Sequence, residues 1–417
     1  MTRNYSILPL LGSLLLLAAC SSDPADERPR QRLPLTLVPY TSTYEDVLPE
    51  EKPEDMQHSE RRSAPATRAD YEHLPAGYMP YAVQYATAPK NSTIGIWMTP
   101  DNTTSTGSLI YKSGSDWKST VEVEGDKTYY IYGFMPRTGT ETASISSLNG
   151  TGSSDYANGA VITLADYPTV TANDLCAIVG LRKGATASED ITALTADVPL
   201  GSFSFEATAG DNTAFLLLKH LLAGLRFSMK IGTGYHGLRD INVTKVELQG
   251  LSCPTTGDLT VRLTANATGA DPIPSGDIAD PTSAIYFDTD GKATGDIWAT
   301  LYEADPGDPT DLGLRLDEST PTDYLGCFAS PLCTKFNLRT TYDVYDQAAT
   351  PAHPEGNLVR KGCTAVNTID FKSLFSPYES LVIRSGERYT VNLTVEPTYL
   401  YVLSDPDLDN PTIILSE

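Results

Sequence analysis

Cys20 is preceded by Leu17-Ala18-Ala19, and these neighbours point more directly to a chemical step than any others in the chain. Two small residues and a cysteine at the end of an apolar run fit signal removal and then acylation of the new N-terminal cysteine. Arg3 supplies positive charge. Residues 7–17 supply an apolar stretch too short to cross a bilayer of about 30 Å as a permanent helix. Residues 1–19 therefore read as a lipoprotein signal peptide and Cys20 as the lipidated residue. The expected destination is a membrane surface outside the cytoplasm.

Other constellations carry less. Gly232-Thr233-Gly234-Tyr235-His236-Gly237 has G-x-G-x-x-G spacing, but residues 238–248 after it are strand-like. A dinucleotide site needs a helix N-terminus there to meet the pyrophosphate, so this is a hairpin or inter-strand loop. Asp405-Pro406-Asp407-Leu408-Asp409-Asn410 opens like a calcium loop, yet Asn410 and Ser416 stand where Gly and Glu are required. Residues 305–311 form a similar acidic turn, with weak calcium binding as its chemical option. His58, His73, His220, His236 and His353 show neither H-E-x-x-H nor a His–Cys metal spacing, and His220 in an apolar run reads as a packed core residue. There is no G-x-S-x-G elbow. Among 53 acidic residues no pair stands out as acid and base. The expectation is a protein that is not an enzyme, with no catalytic residue, no cofactor and no metal.

The charge excludes a further class. A net −23 with no basic cluster is repelled by phosphate backbones, so nucleic acid is not a partner. Besides Cys20, the cysteines are Cys176, Cys253, Cys327, Cys333 and Cys363, an odd set without C-x-x-C. An exported location permits disulfides, and a Cys327–Cys333 bridge would close a short loop; the pairing is otherwise open.

The elements that hold these residues are β-strands. Residues 20–76 are rich in Pro, Asp, Glu and Arg and form an N-terminal segment unable to build a core. Within it Leu33, Leu35 and Leu37 alternate with polar residues or Pro34, as in one half-buried edge strand. Arg61, Arg62 and Arg68 lie among Ser, Ala, Pro and Thr in an exposed, cleavable stretch. From about residue 79 short aromatic and β-branched runs alternate with turn residues: 81–85, 93–97, 121–123, 129–134, 160–164 and 201–207. The same pattern continues at 225–231, 243–249, 259–263, 285–287, 380–383, 389–395 and 399–403. The dense apolar run 215–225 reads as a buried strand with a turn near 221–224. Many short strands with regular turn signals argue for an all-β protein built of β-sandwiches. The expected division is 77–210 for one sandwich domain and 211–417 for a second.

The order of these features resembles the fimbrillins, the pilin subunits of Bacteroidetes-type (type V) pili. The resembling stretches are the lipobox, Ala66-Thr67-Arg68-Ala69, Trp117, and 129–136 (YYIYGFMP). Further along they are 218–227 (LKHLLAGLRF), 241–248 (INVTKVEL), 386–395 (GERYTVNLTV) and 399–414. The resemblance implies two transthyretin-like β-sandwich domains in tandem and export as an outer-membrane lipoprotein precursor. In that family an arginine-specific protease removes an N-terminal strand, and a C-terminal strand of the neighbouring subunit fills the groove. Carried onto this chain, residues 33–38 are the removable strand and Arg68, then Arg62 or Arg61, the processing site. Tyr389, Val391, Leu393 and Val395 present four apolar side chains on one side of the donor, which continues to residue 414. The same segment also reads as simply the last strand of its own domain. The implied partners are neighbouring pilus subunits, the processing protease, the outer membrane through the lipid anchor, and a host glycan or protein. The alternative class is a monomeric surface lipoprotein that binds glycan or another nutrient or host ligand.

Overall fold

Alternating apolar and polar side chains, broken by Gly, Asn, Asp and Pro, build strands almost throughout. The computed structural model describes residues 32–41, 45–47, 79–80, 93–100, 106–113, 116–119, 121–137, 141–149, 155–184, 200–233, 239–266, 271–273, 278–346, 356–374 and 383–395. In chain order the first strands are β1 (Arg32–Thr41), β2 (Glu45–Val47), β3 (Met79–Pro80), β4 (Thr93–Pro100), β5 (Thr106–Ser113) and β6 (Asp116–Ser119). Next come β7 (Glu122–Glu124), β8 (Thr128–Met135), β9 (Thr142–Ser147), β10 (Gly159–Pro168), β11 (Val170–Thr171), β12 (Cys176–Gly184) and β13 (Ser204–Glu206). They are followed by β14 (Asn212–His220), β15 (Ala223–Ile231), β16 (Arg239–Gly250), β17 (Thr256–Thr264), β18 (Ile285–Asp288) and β19 (Ala299–Glu303). The last are β20 (Leu314–Arg315), β21 (Leu325–Ala329), β22 (Lys335–Asp346), β23 (Leu358–Asp370), the single-turn helix α1 (Phe371–Leu374) and β24 (Glu387–Val395). The protein is all-β, as the sequence pattern predicts.

These strands form four sheets. The largest runs β3-β1-β14-β12-β8-β4-β5-β6, with β13 on β8 and β7 on β1. A four-stranded sheet, β18-β17-β10-β9, faces it. Between them lies a core that includes Tyr132, Phe134, Ile162, Phe215, Leu217 and Val261, all buried. Tyr132 is fully buried because its hydroxyl donates to the Tyr156 carbonyl at 2.5 Å and its ring packs on Phe203 at 4.6 Å. The opposite face of the large sheet buries a second cluster, including Leu35, Leu37, Ile96, Ile178 and Leu216, completed by Val123 and Phe205. Two five-stranded sheets, β11-β21-β15-β24-β2 and β19-β16-β22-β23 (with β20 on β16), enclose a third core around Phe227, Val243, Phe336 and Tyr389.

The cores do not divide the chain at 210/211. β14 pairs with β12 and β1 in the first sheet, and β17 and β18 return to pair beside β10. The apolar run 215–231 changes core at Leu222–Ala223, because β14 and β15 lie in different sheets. The turn read near 221–224 is there, though β15 already begins at Ala223. In place of the short-loop bridge Cys327–Cys333, the disulfide joins Cys253 and Cys333, with Cα atoms 5.3 Å apart. Cys327 is buried and free, on a strand whose pairing with β15 turns it into the core. Of the strand expected at 201–207, only Ser204–Glu206 forms. The runs 81–85 and 399–403 lie outside the described residues.

Candidate assembly site: two parallel strands on one continuous run

Leu35 and Leu37 alternate with Pro34, Thr36 and Val38, and strand geometry sends them to one face. Both are 1 % exposed, and Leu33 packs at the margin of the same cluster. β1 runs parallel to β14 over Leu35–Thr41 against Asn212–Leu218. On its other side Arg32–Pro34 pairs antiparallel with Glu122–Glu124, and Leu35 N–H donates to the Val121 carbonyl at 2.9 Å. Pro34 and Pro39 have no N–H to donate, so side-chain burial supplements the ladder that holds β1. Burying Leu35 and Leu37 stabilises it by about 1.5–3 kcal/mol each before the cost of ordering the strand.

The C-terminal strand stands in a matching relation to the second core. β24 runs parallel to β15, with Arg388–Val395 in register against Gly224–Ile231. Tyr389 is fully buried and Val391 nearly so, while Leu393 and Val395 pack at the margin. Arg226 Nε donates to Thr390 Oγ1 at 2.6 Å and Ser228 Oγ to Asn392 Oδ1 at 2.8 Å, so the polar side of the strand is satisfied as well. The Tyr389 hydroxyl donates to Glu387 Oε2 at 2.5 Å and accepts from the Arg384 N–H at 3.2 Å. Burial first, and the Glu387 carboxylate second, push its ionisation above the ordinary tyrosine range. On the other edge β2 pairs parallel with Glu387–Tyr389.

Among the described strand pairs, parallel pairing occurs only here: β1 on β14, β24 on β15, and β2 on β24. β14 and β15 are consecutive, so the expected removable strand and the expected donor strand flank successive halves of one chain run. Cys20, Arg61, Arg62 and Arg68 lie outside the described residues. The structure thus places Leu33, Leu35, Leu37, Tyr389, Val391, Leu393 and Val395, and sets the leucine group and the Tyr389 group against different cores.

Elsewhere the sequence candidates that fall on described residues resolve as turns or packing; residues 405–410, His58, His73, His236 and His353 lie outside the described residues. In the stretch 305–311, Asp305 Oδ1 accepts from the Gly307 N–H, Asp308 Oδ1 from Thr310 and Asp311 Oδ2 from the Asp305 N–H, so the carboxylates serve the loop's own backbone. Residues 234–238 of the Gly232 stretch lie outside the described residues, and β16 begins at Arg239. His220 is fully buried, as expected of a packed residue, but it meets Asp174 and Cys176, a grouping missed at the level of sequence. The signal was faint: Asp174 lies two residues before Cys176, just ahead of β12, and only the β12–β14 pairing brings His220 to them.

No family model matches the chain, and no curated protein matches it. Solved structures do. A candidate cell adhesion protein from Bacteroides fragilis is 11 % identical, with 88 % of this chain and 95 % of that chain covered at a TM-score of 0.34. A candidate cell adhesion protein from Bacteroides ovatus is 10 % identical, covering 88 % and 93 % at 0.35. A fimbrial protein from Bacteroides vulgatus is 13 % identical, covering 85 % and 95 % at 0.30.

Proposed function

We propose that this chain is a fimbrial subunit, delivered to the outer membrane as a lipoprotein on Cys20 and assembled at the cell surface by donor-strand exchange, contributing to adhesion. Processing is at Arg68, with Arg62 and Arg61 as the next candidates. A single cut there would release the lipid together with β1 and β2. The observation that supports the reading is the parallel seating of β1 on β14 through Leu35 and Leu37.

Loss of β1 would leave the outer backbone groups of β14 without partners and two leucine-sized slots open to water. Strand addition satisfies both. The incoming strand must run in the direction of β1 and alternate apolar residues along one side. Residues 389–395, with Tyr389, Val391, Leu393 and Val395, meet the second condition, and the donated segment would extend from them into the C-terminal tail. Because β24 already serves β15 of its own chain, donation requires either its departure from β15 or the tail alone.

The test is treatment of the purified precursor with an arginine-specific protease. Multimers that resist SDS without heating are the expected product, and N-terminal sequencing of the mature chain identifies the cut. Persistent monomers lacking the N-terminal segment would overturn the reading; retention of such monomers on a glycan array would favour a monomeric glycan binder.

A further inference from the structure

Asp174, Cys176 and His220 form a buried cluster that the assembly reading does not use. Cys176 Sγ lies 3.2 Å from His220 Nδ1, and His220 Nδ1 lies 2.9 Å from Asp174 Oδ1. The third side of the triangle, Sγ to Asp174 Oδ1, is 3.8 Å. Cys176 and His220 are 0 % exposed and Asp174 4 %. The strand register explains the convergence. Cys176 on β12 stands opposite His220 on β14, and Asp174 lies two residues earlier in the segment that leads into β12. On the other flank Cys176 stands opposite Met135 of β8, and both belong to one buried cluster.

One ring nitrogen faces both the thiol and the carboxylate. A single imidazole nitrogen carries either one proton or one lone pair, so in one tautomer it cannot both donate to Asp174 and accept from Cys176. A cation inside the triangle would bind all three atoms at once. Metal bonds of about 2.0–2.3 Å in tetrahedral geometry set ligand atoms about 3.3–3.5 Å apart, and the three observed separations bracket that spacing. Met135, the cross-strand neighbour of Cys176, lines the same buried cluster.

The geometry points to a binding site for a soft closed-shell cation, copper(I) or zinc(II), held by Asp174 Oδ1, Cys176 Sγ and His220 Nδ1 beside Met135. Thiolate and imidazole donors select these ions over magnesium or calcium. On binding, the Cys176 thiol releases its proton to solvent as the metal–sulfur bond forms, so uptake weakens at low pH. The ion would tie the start of β12 to the end of β14. The inference is independent of strand exchange.

The test uses the full exported chain, purified with reductant and without chelator. It is loaded with zinc, with copper(I) under anaerobic conditions, or with cobalt(II) as a spectroscopic stand-in, and then desalted. The expected results are about one ion per chain, a midpoint of thermal unfolding raised by about 3–8 °C, and a sulfur-to-cobalt charge-transfer band. Zinc and copper retention measured side by side shows which ion the site prefers. Cys176→Ser is expected to lose the band and the ion, and Cys363→Ser, which removes a partly exposed free thiol, to keep both. Should Cys176→Ser fail to fold, Asp174→Asn and the wild-type band carry the test. A folded wild-type chain that retains no ion and shows no band overturns the proposal, as does loss of the ion in Cys363→Ser with retention in Cys176→Ser.

Discussion

Leu222 and Ala223 are bonded neighbours that belong to different apolar cores. The chain thus leaves one hydrophobic interior and enters another across a single peptide bond, with β14 before it and β15 after. Neither residue is exposed at all. Leu222→Ala is expected to destabilise the protein by about 2–5 kcal/mol through lost burial and the cavity left behind. Urea unfolding followed by circular dichroism measures it; a change within error would mean that this crossing is not tightly packed.

The seating of β1 makes a prediction about the precursor. Leu37→Asp puts a carboxylate into a cluster built from Ile96, Ile178 and Leu216, at a cost of about 3 kcal/mol or more for an unpaired buried charge. The strand should come loose before any cut. The precursor is then expected to form SDS-resistant multimers without protease, whereas Thr36→Asp, on the other face of the strand, should behave more like wild type in the same unheated gel.

The C-terminal segment allows a separation of roles. Truncation after Val395 leaves β24 on β15 and is expected to preserve the thermal unfolding midpoint of the precursor within a few degrees. Assembly after protease treatment should nevertheless fail, because a neighbour's groove would have no free strand to accept. Multimers of normal yield from this truncation would show that β24 itself is the whole donor.

The disulfide is directly checkable. A non-reducing peptide map should contain one cross-linked product joining the Cys253 and Cys333 peptides, and native thiol labelling should reach Cys363 but not the buried Cys327. Burial pushes the Cys327 thiol well above the ordinary cysteine range, which removes its reactive thiolate at neutral pH. The double variant Cys253→Ser, Cys333→Ser is expected to lose about 2–5 kcal/mol of stability.

A pH dependence follows from Glu247. Arg339 Nε donates to its carboxylate at 2.7 Å, and Lys245 lies 3.4 Å away. The hydrogen bond from Arg339 is the main cause, with the charges of Arg339 and Lys245 adding to it, and together they hold the folded carboxyl below its usual 4.5. The unfolded chain therefore binds the proton first. This contribution is fully present above about pH 5 and is lost as pH falls through the depressed folded value. Glu247→Gln should flatten the fall in urea midpoint between about pH 5 and pH 3, while leaving the acid unfolding due to other carboxylates.

Local alternation carried most of the architecture. Leu33, Leu35 and Leu37 announced a strand although they sit in a stretch too polar to fold alone, because period two needs only a few residues to show. The run 215–225 was legible as buried from the density of its apolar residues, not from any alternation. What the local pattern could not carry is pairing. Nothing near Cys333 distinguishes Cys327, six residues away, from Cys253, because the choice is made when Ser252 and Thr334 meet across the chain ends of β16 and β22. The return of β17 to β10 is equally nonlocal, and it defeats a division drawn along the sequence. Asp174, Cys176 and His220 stayed hidden because two strands had to come into register before their side chains shared a space.

In a fibre assembled as proposed, residues 212–231 become a tie-rod. One half would be gripped by the neighbour's strand and the other by the subunit's own last strand, with the Leu222–Ala223 peptide bond joining the two halves. Tension along the filament would then pull parallel strands lengthwise, so that their hydrogen bonds share the load in shear instead of peeling open one after another.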